Sequence, residues 1–173
     1  VFDPGINPYF RHGLAERWVL RDEGRRLVGR IAAFIDYNLS GTYEQPTGGI
    51  GFFECIDDDA AAGMLFDVAR NWLREKGMEA MDGPINFGET DKYWGLLVNG
   101  FTPPSFDVPY NPPCYQRLFE TYGFQTYYKM EGFHYDLTKP LDERFRKIAE
   151  WVANKPGYSF RHFSWKEEDK LIA

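Results

Sequence analysis

The sequence predicts an α/β fold, a central sheet flanked by helices, and three features predict it. Val28-Gly29-Arg30-Ile31-Ala32-Ala33-Phe34-Ile35 is almost continuously apolar, as in a strand buried on both faces. Gly49 to Cys55 is a second such run, and it turns through Ile56-Asp57-Asp58-Asp59 straight into a helix starting at Ala60. Ala61, Met64, Leu65, Val68, Trp72 and Leu73 carry that helix to Lys76 at helical spacing. A strand feeding a helix directly is the unit of α/β architecture.

The remaining elements follow in order. Arg17 to Leu20 and Leu27 to Tyr37 are apolar runs separated by Arg21-Asp22-Glu23-Gly24-Arg25, a hairpin in which Gly24 supplies the positive φ of a tight turn. Ser40-Gly41 and Gln45-Pro46 make Leu39 to Thr47 a loop. Gly77 stops the long helix in the left-handed conformation. Glu79 to Pro84 is a short strand, and Asn86 to Pro113 is a loop long enough to expect a functional role. Asn111 and Pro112 form an N-cap and N1 pair for a helix that buries Tyr115, Leu118, Phe119 and Tyr122 and stops at Gly123. Phe124 to Leu137 alternates like a long strand or bent hairpin. Leu141, Phe145, Ile148, Ala149 and Val152 mark a last amphipathic helix, ended by Pro156-Gly157, and Tyr158 to Phe163 can open a further strand. Residues 1–137 read as one domain and 138–173 as a helix with the start of a following segment.

Composition narrows the function. The 173 residues are 43% hydrophobic and 27% charged, the ordinary range of a globular protein. Aromatic content is 18%, so the core or a pocket is rich in rings. A net charge of −6 argues against a nucleic-acid surface, which needs a basic stripe. Two cysteines, Cys55 and Cys114, make no disulfide framework and fit a reduced, cytoplasmic setting. No membrane span is visible, and His12, His134 and His162 do not have metal-site spacing, so no metal is expected. Val1 at the start and Lys170-Leu171-Ile172-Ala173 at the end read as a piece of something longer, whose removal would leave an apolar surface open.

The strand-to-helix junction has the architecture of a phosphate site, because free N–H groups and the helix dipole favour an anion there. Asp57, Asp58 and Asp59 occupy it instead. They suit the dipole and can cap the helix, but each like-charge pair at 4 Å costs about 1 kcal/mol in water and about 4 at an intermediate dielectric. Phosphate affinity at Ala60 is expected to be weak. The trio can alternatively bind a cation or an amine's positive charge.

A linked set of segments carries a resemblance. Gly29 to Ala33, Gly51 to Asp58, Gly83-Pro84-Ile85-Asn86-Phe87, Gly95 to Phe101 and Pro109-Tyr110-Asn111-Pro112-Pro113 together cover roughly residues 8–137. In that order the chain resembles the GNAT superfamily of acyl-CoA N-acyltransferases, and more narrowly the N-terminal half of a group of bacterial two-half GNAT-like proteins. The resemblance implies a GNAT-like central mixed sheet flanked by helices. It also implies acyl-CoA as co-substrate, a small-molecule amine as acceptor, and a partner in the C-terminal half of the same protein. In that group the later half usually carries the Gly-rich acyl-CoA loop. In such sheets the strand ending at Cys55 and the strand Glu79 to Pro84 lie side by side and splay apart, and the gap holds the pantetheine arm. Two departures stand out. Asp57 to Gly63 does not match the superfamily's pyrophosphate loop, and the position of its usual Tyr general acid is Phe119.

Within that frame, Glu54 is the candidate general base, its carboxylate raised by burial on an apolar strand, with an edge position or an ion pair as the alternative. Asn86 can donate to an acyl carbonyl or its oxyanion, or simply cap loop backbone. Tyr110 can protonate a leaving thiolate. Trp94, Phe106 and Asn111 are candidates for lining the substrate channel, with Asn111 also serving as a helix cap. Cys55 reads as a buried, inert thiol. The implied activity is acyl transfer from acyl-CoA to an amine by the full-length protein. The alternative is a non-catalytic GNAT-fold module that binds a small ligand or a partner.

Overall fold

The structure is a computed structural model that describes residues 1–42, 44–88, 95–104 and 108–159. The chain divides into two units, Val1–Tyr127 and Tyr128–Ala173. The first unit is α/β, with a four-stranded mixed sheet in the order β1-β2-β3-β4: β1 Gly13–Arg21, β2 Leu27–Asp36, β3 Thr47–Cys55 and β4 Ala80–Asp82. β1, β2 and β3 are antiparallel neighbours, and β4 joins β3 in parallel. α1 (Tyr37–Ser40) is a single turn capped by Asp36, α2 spans Asp59–Glu75 and α3 spans Cys114–Tyr122.

The hairpin forms where the sequence puts it, but its left-handed residue is Arg25 (φ 63°) rather than Gly24. Asp22 makes that affordable by accepting the Arg26 N–H at 2.9 Å on its carboxylate and the Arg25 N–H at 2.8 Å on its carbonyl. β2 is buried at Ile31 through Ile35, as expected of a strand covered on both sides.

α2 and α3 cover one face. Ala62, Leu65, Phe66, Ala69 and Leu73 of α2 meet Ile31, Ala33, Ile35, Ile50 and Phe53 from the strands. Met64, expected on this face, is exposed, and Phe66 takes the central place. Its ring stacks on Phe53 at 4.9 Å and meets Phe119 at 4.7 Å and Tyr122 at 4.9 Å. Here the high aromatic content forms a core. α2 ends at Gly77 (φ 84°), with Gly77 N bonded to Arg74 O and Met78 N to Leu73 O, the Schellman arrangement. A smaller ring cluster covers the other face: Phe87 meets Phe34 at 5.4 Å, Phe10 at 5.0 Å and Tyr9 at 5.7 Å.

Two further expectations fail. Asn111 does not cap α3: Pro113 holds the cap position without a side-chain bond, and the Asn111 amide is turned to another segment. Residues 124–137 form no strand, since alternation of side chains does not itself supply partners for the backbone. In the second unit α4, Glu143–Ala153, is the predicted amphipathic helix, capped by Asp142 and with no buried residue. The strand expected from Tyr158 to Phe163 lies mostly outside the described residues.

Candidate functional site

The site grows from the way β3 loses its neighbours. β3 and β4 pair only at Thr47↔Ala80, Gly48↔Met81 and Gly49↔Asp82, after which β4 ends while β3 runs on to Cys55. The chain leaving β4 turns through a cis Gly83-Pro84 bond and lies over the middle of β3, with Ile85 N donating to Ile50 O at 2.7 Å. Only glycine fits beneath it: a Cβ on Gly51 would stand 1.7 Å from the Ile85 carbonyl oxygen.

Next comes a bulge. The β2–β3 register shifts between Arg30 and Ala32, and Phe52 adopts φ 49°. One extra residue in β3 lets Ile50 and Phe53, an odd number of positions apart, both face the α2-side core. The Phe52 N–H is satisfied by Asn86, whose Oδ1 accepts it at 2.8 Å. That bond fixes the amide's orientation, since only the oxygen can accept. Nδ2 is then left as a donor. It makes no hydrogen bond to a described residue, and no buried polar side-chain atom among the described residues lacks a partner, so Nδ2 touches solvent.

At the end of β3, α3 stands in for a strand: the Cys55 N–H donates to the Tyr115 hydroxyl at 3.0 Å. Burial pushes the Tyr115 hydroxyl up, and the N–H it accepts pulls it partly back. Burial likewise pushes the Cys55 thiol up to about 11, with Asp58 and Cys114 adding to the rise. The raised value keeps the Cys55 thiol protonated at neutral pH, although the residue is half-buried rather than buried as the sequence suggests.

The aspartate trio is not a bare acidic cluster. Asp58 caps α2, accepting the Ala61 N–H at 2.7 Å. Asp57 and Asp59 both bind the guanidinium of Arg117, on α3. Neutralisation comes from a residue far along the sequence rather than from Arg70, which pairs with Asp67 on the same helix. Capping and ion pairing thus occupy the position where a pyrophosphate loop would lie.

Of the candidate residues, Asn86 is at the gap. Glu54 is near it, but the burial expected of it is absent. Its side chain is 65% exposed and pairs with Arg30, its register partner on β2, at 2.8 Å. Alternation explains this: Phe53 takes the core side, so Glu54 faces the other way. Asn111 is buried and clamps the long loop, accepting the Leu97 N–H at 2.7 Å and donating to Leu97 O at 3.2 Å. Tyr110 is exposed, with its ring edge-on to Phe101 at 6.3 Å. Trp94 and Phe106 lie outside the described residues. Among the described residues no cluster of His, Cys, Asp or Glu could hold a metal, and no helix is long and apolar enough to cross a membrane.

Two residues at the site escaped the sequence reading. Arg117 lies 58 and 60 positions from its partners, and no local pattern reports such a pair. Asp82 ends β4 half-buried, and burial raises its carboxyl above the ordinary value. A carboxylate closing an otherwise apolar strand was its available signal.

No family model matches the chain, and no solved structure matches it. Two curated proteins are similar to it. Protein YghO of Escherichia coli (strain K12) is 34% identical over 119 residues, 68% of this chain and 30% of that protein. Bacterial ceramide synthase of Caulobacter vibrioides (strain NA1000 / CB15N) is 33% identical over 146 residues, 81% of this chain and 36% of that protein. The chain spans about a third of the length of the curated relatives it matches.

Proposed function

We propose that this chain is the N-terminal part of a GNAT-type N-acyltransferase that moves an acyl group from acyl-CoA to a small-molecule amine. The observation that carries the reading is that β3 runs on to Cys55 beyond its last bond to the 80–86 segment, the Asn86–Phe52 bond, with the Asn86 Nδ2 donor where the two part. A thioester laid in that gap would place its carbonyl where a donor can stabilise the oxyanion formed on attack. The amine nitrogen then bonds to the carbonyl carbon, the C–S bond breaks, and the thiolate takes a proton. Tyr110 is the candidate donor of that proton. The similarity to a protein named bacterial ceramide synthase supports the same class of chemistry. Acyl-CoA would be held largely by the rest of the protein, because capping and ion pairing occupy the α2 N-terminus here.

The longer protein, incubated with acyl-CoA and a panel of primary amines, should release free thiol and yield an amide detectable by mass spectrometry. Intact acyl-CoA with every amine, together with no acyl-CoA binding by calorimetry, rejects the reading. One observation favours a second reading, a non-catalytic ligand-binding or interaction module: Asp57, Asp58 and Asp59 are all engaged within the chain, leaving no phosphate-binding turn. Binding of acyl-CoA without turnover would support that reading.

A further inference from the structure

Among the described residues of the second unit, 128–159, none is buried, and only Asp136 and Val152 are even half-covered. Its helix α4 nevertheless has the pattern of a helix that packs on something. Phe145, Ile148, Ala149 and Val152 recur at i, i+3, i+4 and i+7 and form one apolar stripe. Phe145 is 54% exposed, and Trp151, at the edge of the stripe, is 64% exposed. Leaving such side chains in water is unfavourable, and a contiguous exposed stripe marks a surface that another apolar phase covers.

The charges around the stripe identify that phase. Glu143, Arg146 and Glu150 lie on the polar side of α4, where Arg146 binds the two carboxylates at 3.2 and 2.8 Å. Lys147 reaches Glu143 at 3.6 Å on the same side. Asp142 caps the helix, accepting the Arg144 N–H at 2.8 Å. Two cations stand at the margin of the stripe, one at each end of the helix. The Arg144 guanidinium makes no ion pair among the described residues. The Lys155 ammonium lies over the rings of Trp151 and Tyr158, 5.1 Å from each centroid. From Lys139 to Tyr158 there are five cations and three carboxylates, in a chain whose net charge is −6. A protein partner is the poorer match, because the centres of protein interfaces are depleted of Lys. A bilayer surface suits every group: acyl chains take the stripe, and Trp and Tyr sit at headgroup level. The aliphatic stems of Arg144 and Lys155 carry their charges out to lipid phosphates.

We propose that α4 is a surface anchor lying in the plane of an anionic bilayer, with its stripe among the acyl chains and Arg144 and Lys155 on headgroup phosphates. Its 11 residues, about 16 Å long, are too short to span a bilayer and suit a helix that lies on one. The anchor does not depend on acyl transfer, so the two readings fail separately.

The test is sedimentation of this chain and of the longer protein with vesicles of phosphatidylglycerol and phosphatidylcholine, and with vesicles of phosphatidylcholine alone. At low salt both proteins should bind the anionic vesicles about tenfold or more tightly than the neutral ones, and the preference should shrink as salt rises. Ile148→Asp should abolish binding without lowering the Tm, because α4 has no buried residue. Arg144→Gln and Lys155→Gln should each weaken anionic binding by about fivefold and leave neutral binding unchanged. Arg146→Gln, on the polar side, should cost about twofold at most. Failure of both proteins to sediment with anionic vesicles overturns the anchor, as does equal binding by the wild type and Ile148→Asp. Binding by this chain but not by the longer protein also overturns it, because the stripe is then covered by the rest of that protein.

Discussion

The Cys55 N–H donates to the Tyr115 hydroxyl at 3.0 Å, so a helix side chain provides the acceptor that a neighbouring strand would otherwise provide. The bond ties α3 to the end of β3 at the place where β4 is absent. Tyr115→Phe keeps the ring contact with Phe53, at 5.1 Å, and removes only that acceptor. An N–H left unsatisfied costs about 1–3 kcal/mol, and the low end applies at a half-buried residue. In a chain of this size about 1 kcal/mol corresponds to a fall in Tm of about 2–4 °C. Urea unfolding should show a lower midpoint with an unchanged slope. Tyr115→Ala also opens a cavity, and about 3–5 kcal/mol is expected. A Tyr115→Phe variant as stable as the wild type would mean that water satisfies the Cys55 N–H equally well.

Two glycines should respond in opposite ways to the same substitution. A Cβ at Gly51 meets the Ile85 carbonyl at 1.7 Å, a backbone atom that cannot rotate away. Gly51→Ala must push the 83–87 segment off β3 and break both the Ile85–Ile50 bond and the Asn86–Phe52 bond. A loss of more than about 3 kcal/mol is expected, above the usual range for one substitution. Gly63, inside α2, faces open space, and Gly63→Ala should stabilise by about 0.5–1 kcal/mol through helix propensity alone. Thermal melts of the two variants, moving in opposite directions, check the placement of the loop over β3.

At the α2 entrance, Arg117 is held by Asp57 and Asp59, and that pairing governs anion affinity. Asp57→Asn with Asp59→Asn leaves the Asp58 cap intact and frees the guanidinium beside a helix N-terminus. CoA binding by calorimetry should be weak in the wild type and at least several-fold tighter in the double variant. The gain should shrink at high salt, because the groups are exposed. Adding Arg117→Gln to the double variant should cancel it. Tight CoA binding by the wild type, unaffected by these changes, would restore the junction as a phosphate site.

Much of the sheet was legible because its signals are local. The apolar run of β2, the strand-to-helix turn after Cys55, the period of α2 and the stops at Gly77 and Gly123 each lie within a few residues. The tyrosines of α3 were read as core for the same reason. What stayed hidden depends on contacts between distant segments. The partner of Asp57 and Asp59 lies two elements further on. Asn111 was read as a cap from its neighbours, yet its amide is satisfied by Leu97 across the loop. Glu54 was expected to be buried because the run around it is apolar, but the bulge at Phe52 resets which residues face the core. Gly51 inside a strand was the available sign of that bulge. Alternation in 124–137 suggested a strand, although pairing needs a neighbour that a sequence pattern cannot supply.

Asp82, half-buried and without a hydrogen bond or ion pair among the described residues, costs stability at neutral pH. Burial raises its carboxyl in the folded chain above the value it takes when unfolded. The folded state therefore holds the proton more tightly, and the contribution to stability has a definite sign. It is fully present below the unfolded value, where both states are protonated. It is lost as pH rises through the raised folded value, where the folded chain must carry a half-buried anion. Asp82→Asn removes the titration and keeps the shape. The variant should match the wild type at acidic pH and become the more stable of the two as pH rises to neutrality. Chemical denaturation of both proteins across that range measures the difference directly. A constant gap at all pH values would mean that Asp82 titrates alike in both states. A variant less stable at neutral pH would mean that the carboxylate has a favourable partner in the folded chain.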